Sequence, residues 1–430
     1  MTGIDDVRAV AAPLRAAADL DPLVERARTV DYVLLGEASH GTHEYYRWRA
    51  ELTKRLIESG QVLFVAVEGD WPDCHRVHRC VTLQPGAPED PRDVLSEFTR
   101  WPTWMWANEE VVEFCRWLRD WNAQRPAAER VGFHGLDVYS LWDSLRAVMD
   151  YLNEHEPQHL DTAHRAWACF EPYREDPQSY ALSLRLVPQS CEQDVVTLLR
   201  RLCEQRPQPD GTDPERRFVA EQNAAVAAGA EQYYRALVTG GISSWNVRDC
   251  HMTDTLDRLV GHYGPGRAVV WEHNTHIGDA RATDMAGHGE VNVGQLVRER
   301  HGRERVLTVG FAGHHGTVVA ADRWDAPIRV LPLPPAMNGS IEDLLMAALP
   351  EPALLDLPGP DRQPQWLREP RGHRAVGVVY DPDQERWGNY VPTVLGDRYD
   401  ALLWFPETWA LRPLHLEPGQ AEAETWPTGQ

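Results

Sequence analysis

Two clusters of imidazole and carboxylate side chains could do chemistry in this chain, and each follows a short apolar run directly. Tyr32–Leu35 (YVLL) leads into Gly36-Glu37-Ala38-Ser39-His40-Gly41-Thr42, and Ala268–Trp271 (AVVW) leads into Glu272-His273-Asn274-Thr275-His276. Glu37 and His40 lie three residues apart, a spacing that lets a strand-to-helix turn present both side chains to one pocket. Two glycines flank the histidine, and a helix N-cap at Ser39 or Thr42 would need neither of them. A neutral imidazole, with an ordinary pKa of ~6.5, can take a proton from water near neutral pH when a carboxylate orients it. Glu68 closes the wholly apolar run Val62–Val67, where an unpartnered carboxylate would be costly to bury. Asp70 and Asp137 stand at further run ends as supporting groups. His314, in tandem with His315 after Val306–Phe311, is a weaker candidate because adjacent side chains point in different directions.

These positions require elements that bring distant segments to one rim. The apolar runs are Tyr32–Leu35, Val62–Val67, Val131–Leu136, Ala268–Trp271, Val306–Phe311, Ala375–Tyr380 and Tyr399–Phe405. Their continuous apolarity is that of strands covered on both faces. Helical patterns alternate with them at Glu44–Ser59, Asn108–Asn122, Leu141–Asn153 and Leu296–Arg300. The order predicts an α/β fold, a mostly parallel central sheet flanked by helices, with ligands beyond the carboxyl ends of its strands. Between about 157 and 263 only helical patterns occur (Cys191–Cys203, Asp213–Val238, Val247–Tyr263), which reads as a helical insertion or lid. The core is then 1–156 and 264–416, with a Pro-rich ordered loop at 331–370 and a frayed tail at 417–430.

Composition narrows the function. The 430 residues carry 43 Lys plus Arg against 65 Asp plus Glu, a formal charge of −22. Such a charge repels nucleic-acid phosphates, so a small-molecule partner is expected. No apolar stretch approaches membrane-spanning length and no secretion signal opens the chain, so a cytoplasmic location is expected. The seven cysteines are scattered and never spaced C-x-x-C, which predicts neither a disulfide framework nor a zinc site. The G-x-S-x-G elbow, the P-loop, the dinucleotide fingerprint and H-E-x-x-H are all absent. Seventeen tryptophans are present, and Trp101, Trp104 and Trp106 are placed either to line an apolar cleft or to pack the lid on the sheet.

The blocks LLGEASHGTHEYYRWRAELTKRLIE, FVAVEGDW, Arg248-Asp249-Cys250-His251-Met252 and VVWEHNTHIGDAR, with the later GFAGHHGTV and YDALLWF, resemble the erythromycin esterase family from about residue 30 to 410. The resemblance implies metal-independent ester hydrolysis in a cleft between sheet and helical lobe. His40 matches the family's water-activating histidine, Glu37 and Glu68 its carboxylates, and His273 and His276 its second histidine pair. Ser39, Asp70, Asp137, Arg248, Glu272, Asn274, His314 and Trp104 are expected to bind substrate or support those five. Glu272 stands where relatives carry a small apolar residue, and a carboxylate there is expected to raise the pKa of His273 or help hold a cation. The leading expectation is an erythromycin esterase-like hydrolase of a carboxylic ester or macrolactone that needs no cofactor or metal. One alternative places a divalent ion among His40, Glu68, His273 and His276, and another is a non-catalytic small-molecule binder.

Overall fold

Successive residues of the central strands point to opposite faces, and both faces are covered. Val33, Leu35, Val65, Val67, Val269, Trp271, Val309 and Leu403 join one apolar layer. Tyr32, Leu34, Phe64, Ala66, Ala268, Val270, Leu402 and Trp404 join the other. That alternation on a continuous apolar run is the signature of a buried parallel sheet. The computed structural model describes residues 3–173, 180, 183, 190–204, 214–239 and 244–416.

The strands are β1 (Ala11–Pro13), β2 (Tyr32–Leu35), β3 (Val62–Asp70), β4 (Gly132–Asp137), β5 (Arg267–Trp271), β6 (Val306–Ala320), β7 (Arg329–Leu333), β8 (Ala353–Asp356), β9 (Pro370–Arg374), β10 (Tyr390–Val394) and β11 (Ala401–Thr408). Nine form one sheet in the order β1-β8-β11-β6-β2-β5-β3-β4, with β7 also on β6. From β11 to β4 every pairing is parallel, whereas β1, β8 and β7 pair antiparallel. The fold is therefore α/β with a mostly parallel sheet, and the carboxyl ends of β2 to β6 open on one rim. Helices His43–Glu58 and Glu109–Ala123 bury Leu52, Leu56, Val111 and Leu118 on one face of the sheet. Helices Ser244–Tyr263 and Val293–His301 bury Met252, Leu256 and Val297 on the other.

Two expectations are corrected. Ala375–Tyr380 is no strand of the sheet. It makes isolated bridges from Val376 to Ser39 and from Val379 to Ala321, and only its Val376 and Tyr380 are buried, against β6 and β7. The Pro-rich 331–370 is also no plain loop, since it holds part of β7, helix Ile341–Ala348, all of β8, helix Gln365–Arg368 and the start of β9. Its prolines are tolerated because β7 is an edge strand, where Pro332 breaks no central ladder.

Helices Leu141–His155, Leu160–Phe170, Glu192–Glu204 and Pro214–Thr239 share a separate apolar cluster that includes Leu145, Val148, Phe170, Leu198, Ala224 and Tyr234. The expected start of the second of the helical patterns between 157 and 263, Asp213, and the tail 417–430 lie outside the described residues. Against the reading of unpaired cysteines, Cys169 and Cys191 form a disulfide inside this lobe. Two helix ends 22 residues apart meet there, a pairing that no local spacing announces. Among the described residues no helix is long and apolar enough to cross a membrane.

A stack of imidazoles fastens the lobe to the sheet. His134 of β4 stacks on Trp71 (5.4 Å) and on His78 (4.5 Å), which in turn stacks on His75. His78 Nε2 lies 3.1 Å from Glu215 of the lobe, and His134 Nε2 lies 2.8 Å from the hydroxyl of Tyr263. Burial pushes the pKa of His75 down to about 3 and that of His134 well below the ordinary value, with neighbouring imidazoles adding to both effects. Groups depressed in this way bind protons more weakly folded than unfolded. Their stabilisation is complete above pH ~6.5 and is lost as pH falls toward the folded values. Tm is expected to fall between pH 6.5 and 4, and the fall to be shallower in His134→Gln. An identical slope in that variant would exclude the stack as the source.

Candidate active site

The rim holds a cleft of about 1040 Å³ lined by His40, Glu68, Asp137, Arg248, His273 and His276, with Trp106, Trp245, Trp324 and Val378 among its apolar walls. Each titratable member comes from a strand end or from the helix that crosses above it. β2 ends at Leu35 and the chain turns through Gly36 and Gly41, where no side chain fits. A Cβ on Gly36 would meet Asn274 Oδ1 at 2.1 Å, and one on Gly41 would meet the carbonyl of Val319 at 1.9 Å. The close approach of β5's loop and β6 is what presses Glu37 and His40 into the cleft.

His40 Nδ1 lies 2.8 Å from Glu37 Oε1, and the other Glu37 oxygen lies 3.1 Å from Arg49 Nη2. A carboxylate accepts there, so Nδ1–H of His40 donates to Glu37. The ring of His273 is 4.9 Å from that of His40, centroid to centroid. His273 caps the short helix Asn274–Ile277, and its Nδ1 accepts from the backbone N–H of Thr275 at 3.3 Å. The same Nδ1 lies 2.8 Å from Thr275 Oγ1, and Nε2 is buried with no hydrogen-bond partner among the described residues. Burial, together with the imidazole of His40, pushes the His273 pKa well below its ordinary value.

His276 is the opposite case. Burial alone would lower its pKa, but Asp249 at 2.9 Å from Nδ1 and Glu68 at 3.4 Å from Nε2 outweigh it and push it up to about 10. Trp245 stacks on the ring at 4.4 Å. Glu68 Oε1 also accepts from Arg248 Nη2 (2.8 Å), and Oε2 accepts from the backbone N–H of His273 (2.9 Å). Burial would raise Glu68, yet His276 and Arg248 hold it well below the usual carboxylate range. Arg248 further donates Nε to Asp137 Oδ1 (2.9 Å) and Nη2 to Oδ2 (2.6 Å). A buried ionic network thus fixes the floor beneath the His40–His273 pair.

The sequence-predicted residues divide clearly. His40, Glu68, Asp137, Arg248, His273 and His276 meet in the cleft, with Glu37 directly behind His40. Asp70 stands one step back and pairs with the cleft-lining Arg100, whose Nη2 is 2.7 Å from Oδ1. Asn274 faces the scaffold, donating to the Phe311 carbonyl (2.7 Å) and accepting from the Phe311 N–H (3.2 Å). Ser39 is spent on a hydrogen bond to Thr42. Trp104 is fully buried in the core while Trp106 reaches the cleft. His314 is not a lining residue, because β6 continues past Phe311 to Ala320 and carries it along that arm.

Glu272 overturns the expectation placed on it. It is 1 % exposed, both its oxygens lack partners, and burial pushes its pKa well above the usual range. It is a neutral acid, and His273 is not raised by it. Four residues escaped the sequence reading: Asp249, Trp245, Arg100 and Arg49. Asp249 and Arg49 carried a signal, since both lie in blocks that carry the family resemblance.

Residues 57–408 match the family model described as erythromycin esterase. The chain belongs to the erythromycin esterase family. Solved structures share the fold along nearly the whole length. A succinoglycan biosynthesis protein is similar at 20 % identity and TM-score 0.77, covering 95 % of this chain and 97 % of its own. A Bacillus cereus protein is similar at 18 % identity and TM-score 0.77, with 96 % and 98 % covered. The erythromycin esterase EreC, as a mutant in its open conformation, is similar at 16 % identity and TM-score 0.65, with 92 % and 95 % covered. Family membership supports an esterase-like hydrolase, and at such identities the structural likeness is one of fold. Among the described residues no group of three or more His, Cys, Asp or Glu side chains is arranged to hold a metal ion.

Proposed function

We propose that this erythromycin esterase family member hydrolyses a carboxylic ester or macrolactone with a water activated by His40. The observation that carries the proposal is the His40 Nδ1–Glu37 Oε1 bond of 2.8 Å beside the unpartnered Nε2 of His273 in one cleft. Water gives a proton to His40 Nε2 as its oxygen attacks the ester carbonyl. The carbonyl oxygen gains negative charge and accepts from His273 Nε2–H, a kind of contact worth ~3–4 kcal/mol in a transition state. The acyl C–O bond then breaks, and the proton on His40 passes to the departing alkoxide, which leaves an acid and an alcohol. Glu68 and His276 hold the backbone and charge around His273.

The wide tryptophan-lined cleft suits a bulky ester, and a macrolide is the substrate to try first, with antibiotic resistance the role that would follow. We also read 157–263 as a lid lobe over a core of 1–156 and 264–416. The location proposed is cytoplasmic, although the Cys169–Cys191 disulfide is unusual in a reducing compartment. Incubation with macrolides should give a ring-opened product heavier by one water, and with simple activated esters the free acid and alcohol. No such product from any of them, with folded protein, would reject the hydrolase reading in favour of a non-catalytic binder.

Turnover is expected to need no metal, because both ring nitrogens of His276 are already engaged by carboxylates. Dialysis against a strong chelator should leave the rate unchanged. Activity lost on dialysis and restored by a divalent ion would replace the imidazole base with metal-bound hydroxide.

A further inference from the structure

Arg49, on helix His43–Glu58, is a buried cation that the mechanism above does not use. Its side chain is 0 % exposed. Its guanidinium lies over the rings of Tyr46 (4.5 Å), Trp271 (4.9 Å) and Trp106 (5.9 Å). None of its nitrogens makes an aligned hydrogen bond. The 3.1 Å approach of Nη2 to Glu37 Oε2 is thus an ion pair rather than a directed bond, and among the described residues Glu37 is its only acidic partner. Burying a guanidinium among ring faces is expensive, and well-packed apolar side chains commonly serve as well or better for stability. Packing alone does not account for a charge at this position.

We infer that Arg49 is a positioning residue: by neutralising Glu37 from behind, it keeps His40 uncharged, with its Nε2 lone pair free to take a proton. The inference rests on the reading of His40 as the general base. A buried carboxylate next to an imidazole gains most by sharing a proton as a carboxylate–imidazolium pair, which is neutral overall. That arrangement occupies Nε2 and removes the base. With Arg49 on the far oxygen, Glu37 is already balanced and offers less to a proton on His40; of the other groups facing that ring, Glu68 attracts the proton and His273 opposes it. Glu37 then acts as an acceptor for Nδ1–H and as nothing more. The aromatic faces hold the guanidinium in place without offering a competing carboxylate.

The test replaces the charge and reads the protonation of one ring. In Arg49→Met the acid limb of the kcat/KM profile should move up by roughly one to two pH units, the size of a nearby charge at an effective dielectric of ~20. At pH values below the parent limb activity should drop about 10- to 100-fold, and it should recover as pH rises. Arg49→Lys should keep the limb in its original place. A purely structural role lowers activity at every pH with the limb fixed, and that result overturns the inference. If Arg49→Met does not fold, Arg49→Gln is read in the same way, and a limb displaced in Arg49→Lys with the charge kept is equally fatal. Independent of any substrate, 15N-histidine NMR follows His40, identified by its absence in His40→Asn. An unshifted His40 titration in the charge-removed variant rejects the role of Arg49. A shifted titration in a protein that turns over no ester rejects only the hydrolase reading.

Discussion

His40→Asn is expected to lower turnover by about 10²–10⁴-fold, the contribution of a well-placed general base. The loss should come from chemistry rather than folding. The side chain's only hydrogen-bond partner is Glu37, and Glu37 retains Arg49 when the imidazole is gone. Asparagine also fits the space at the rim, where His40 is 7 % exposed. The fall should appear in kcat and kcat/KM together, because proton transfer belongs to the transition state and not to binding. Rates on whichever ester the panel reveals, with circular dichroism and Tm as controls, give the answer. A folded His40→Asn enzyme that keeps a tenth of the parent rate would end the general-base assignment, and His273 would then be the imidazole to examine.

The sheet was readable because burial on both faces leaves an unmistakable mark. Tyr32–Leu35 matches β2 residue for residue, and the run at Ala268–Trp271 lies within β5. The same mark misled at Ala375–Tyr380, where only Val376 and Tyr380 are buried, against Val318, Ala320 and Leu333 of β6 and β7, while Val378 and Val379 line the cleft. Composition also concealed β8, whose four residues gain their stability from antiparallel pairing with β11, a contact made only in the folded chain. In the site, residues just past strand ends were legible because parallel order sends them all to one rim. What could not be read was the direction of each charge effect. Glu272 and Glu68 are both buried acids beside His276, yet one is driven up and the other held down. The difference lies in contact: Glu68 is held by His276 and by the guanidinium of Arg248, which bonds it from 180 residues away, whereas both Glu272 oxygens lack partners. His314 failed for a related reason, because the length of β6 beyond Phe311 is set by β7 and β11 pairing along it.

That guanidinium carries the other large effect. Arg248→Met should cost about 3–5 kcal/mol of folding stability, the range for removing one partner of a buried ionic cluster. It strands Asp137, which loses a two-point bond, and takes from Glu68 its closest side-chain donor. His276 still faces Glu68, which keeps the loss from being larger. The pH dependence follows from the sign of the shifts. Arg248 helps hold both carboxyls below their usual range, despite burial, so its stabilisation is present above the unfolded carboxylate values and fades as pH falls. Without it the carboxyls take up protons more readily, and the difference between parent and variant should narrow on going from pH 6 to pH 3. Arg248 also ties helix Ser244–Tyr263 to β3 and β4, so its loss frees the face that carries Trp245 onto His276. Turnover should therefore fall with stability, and the parent activity should not return at low temperature where the variant is fully folded. Urea titrations at the two pH values decide the matter: a difference below ~1 kcal/mol, or one that does not change with pH, means that Asp137 and Glu68 have other means of neutralisation.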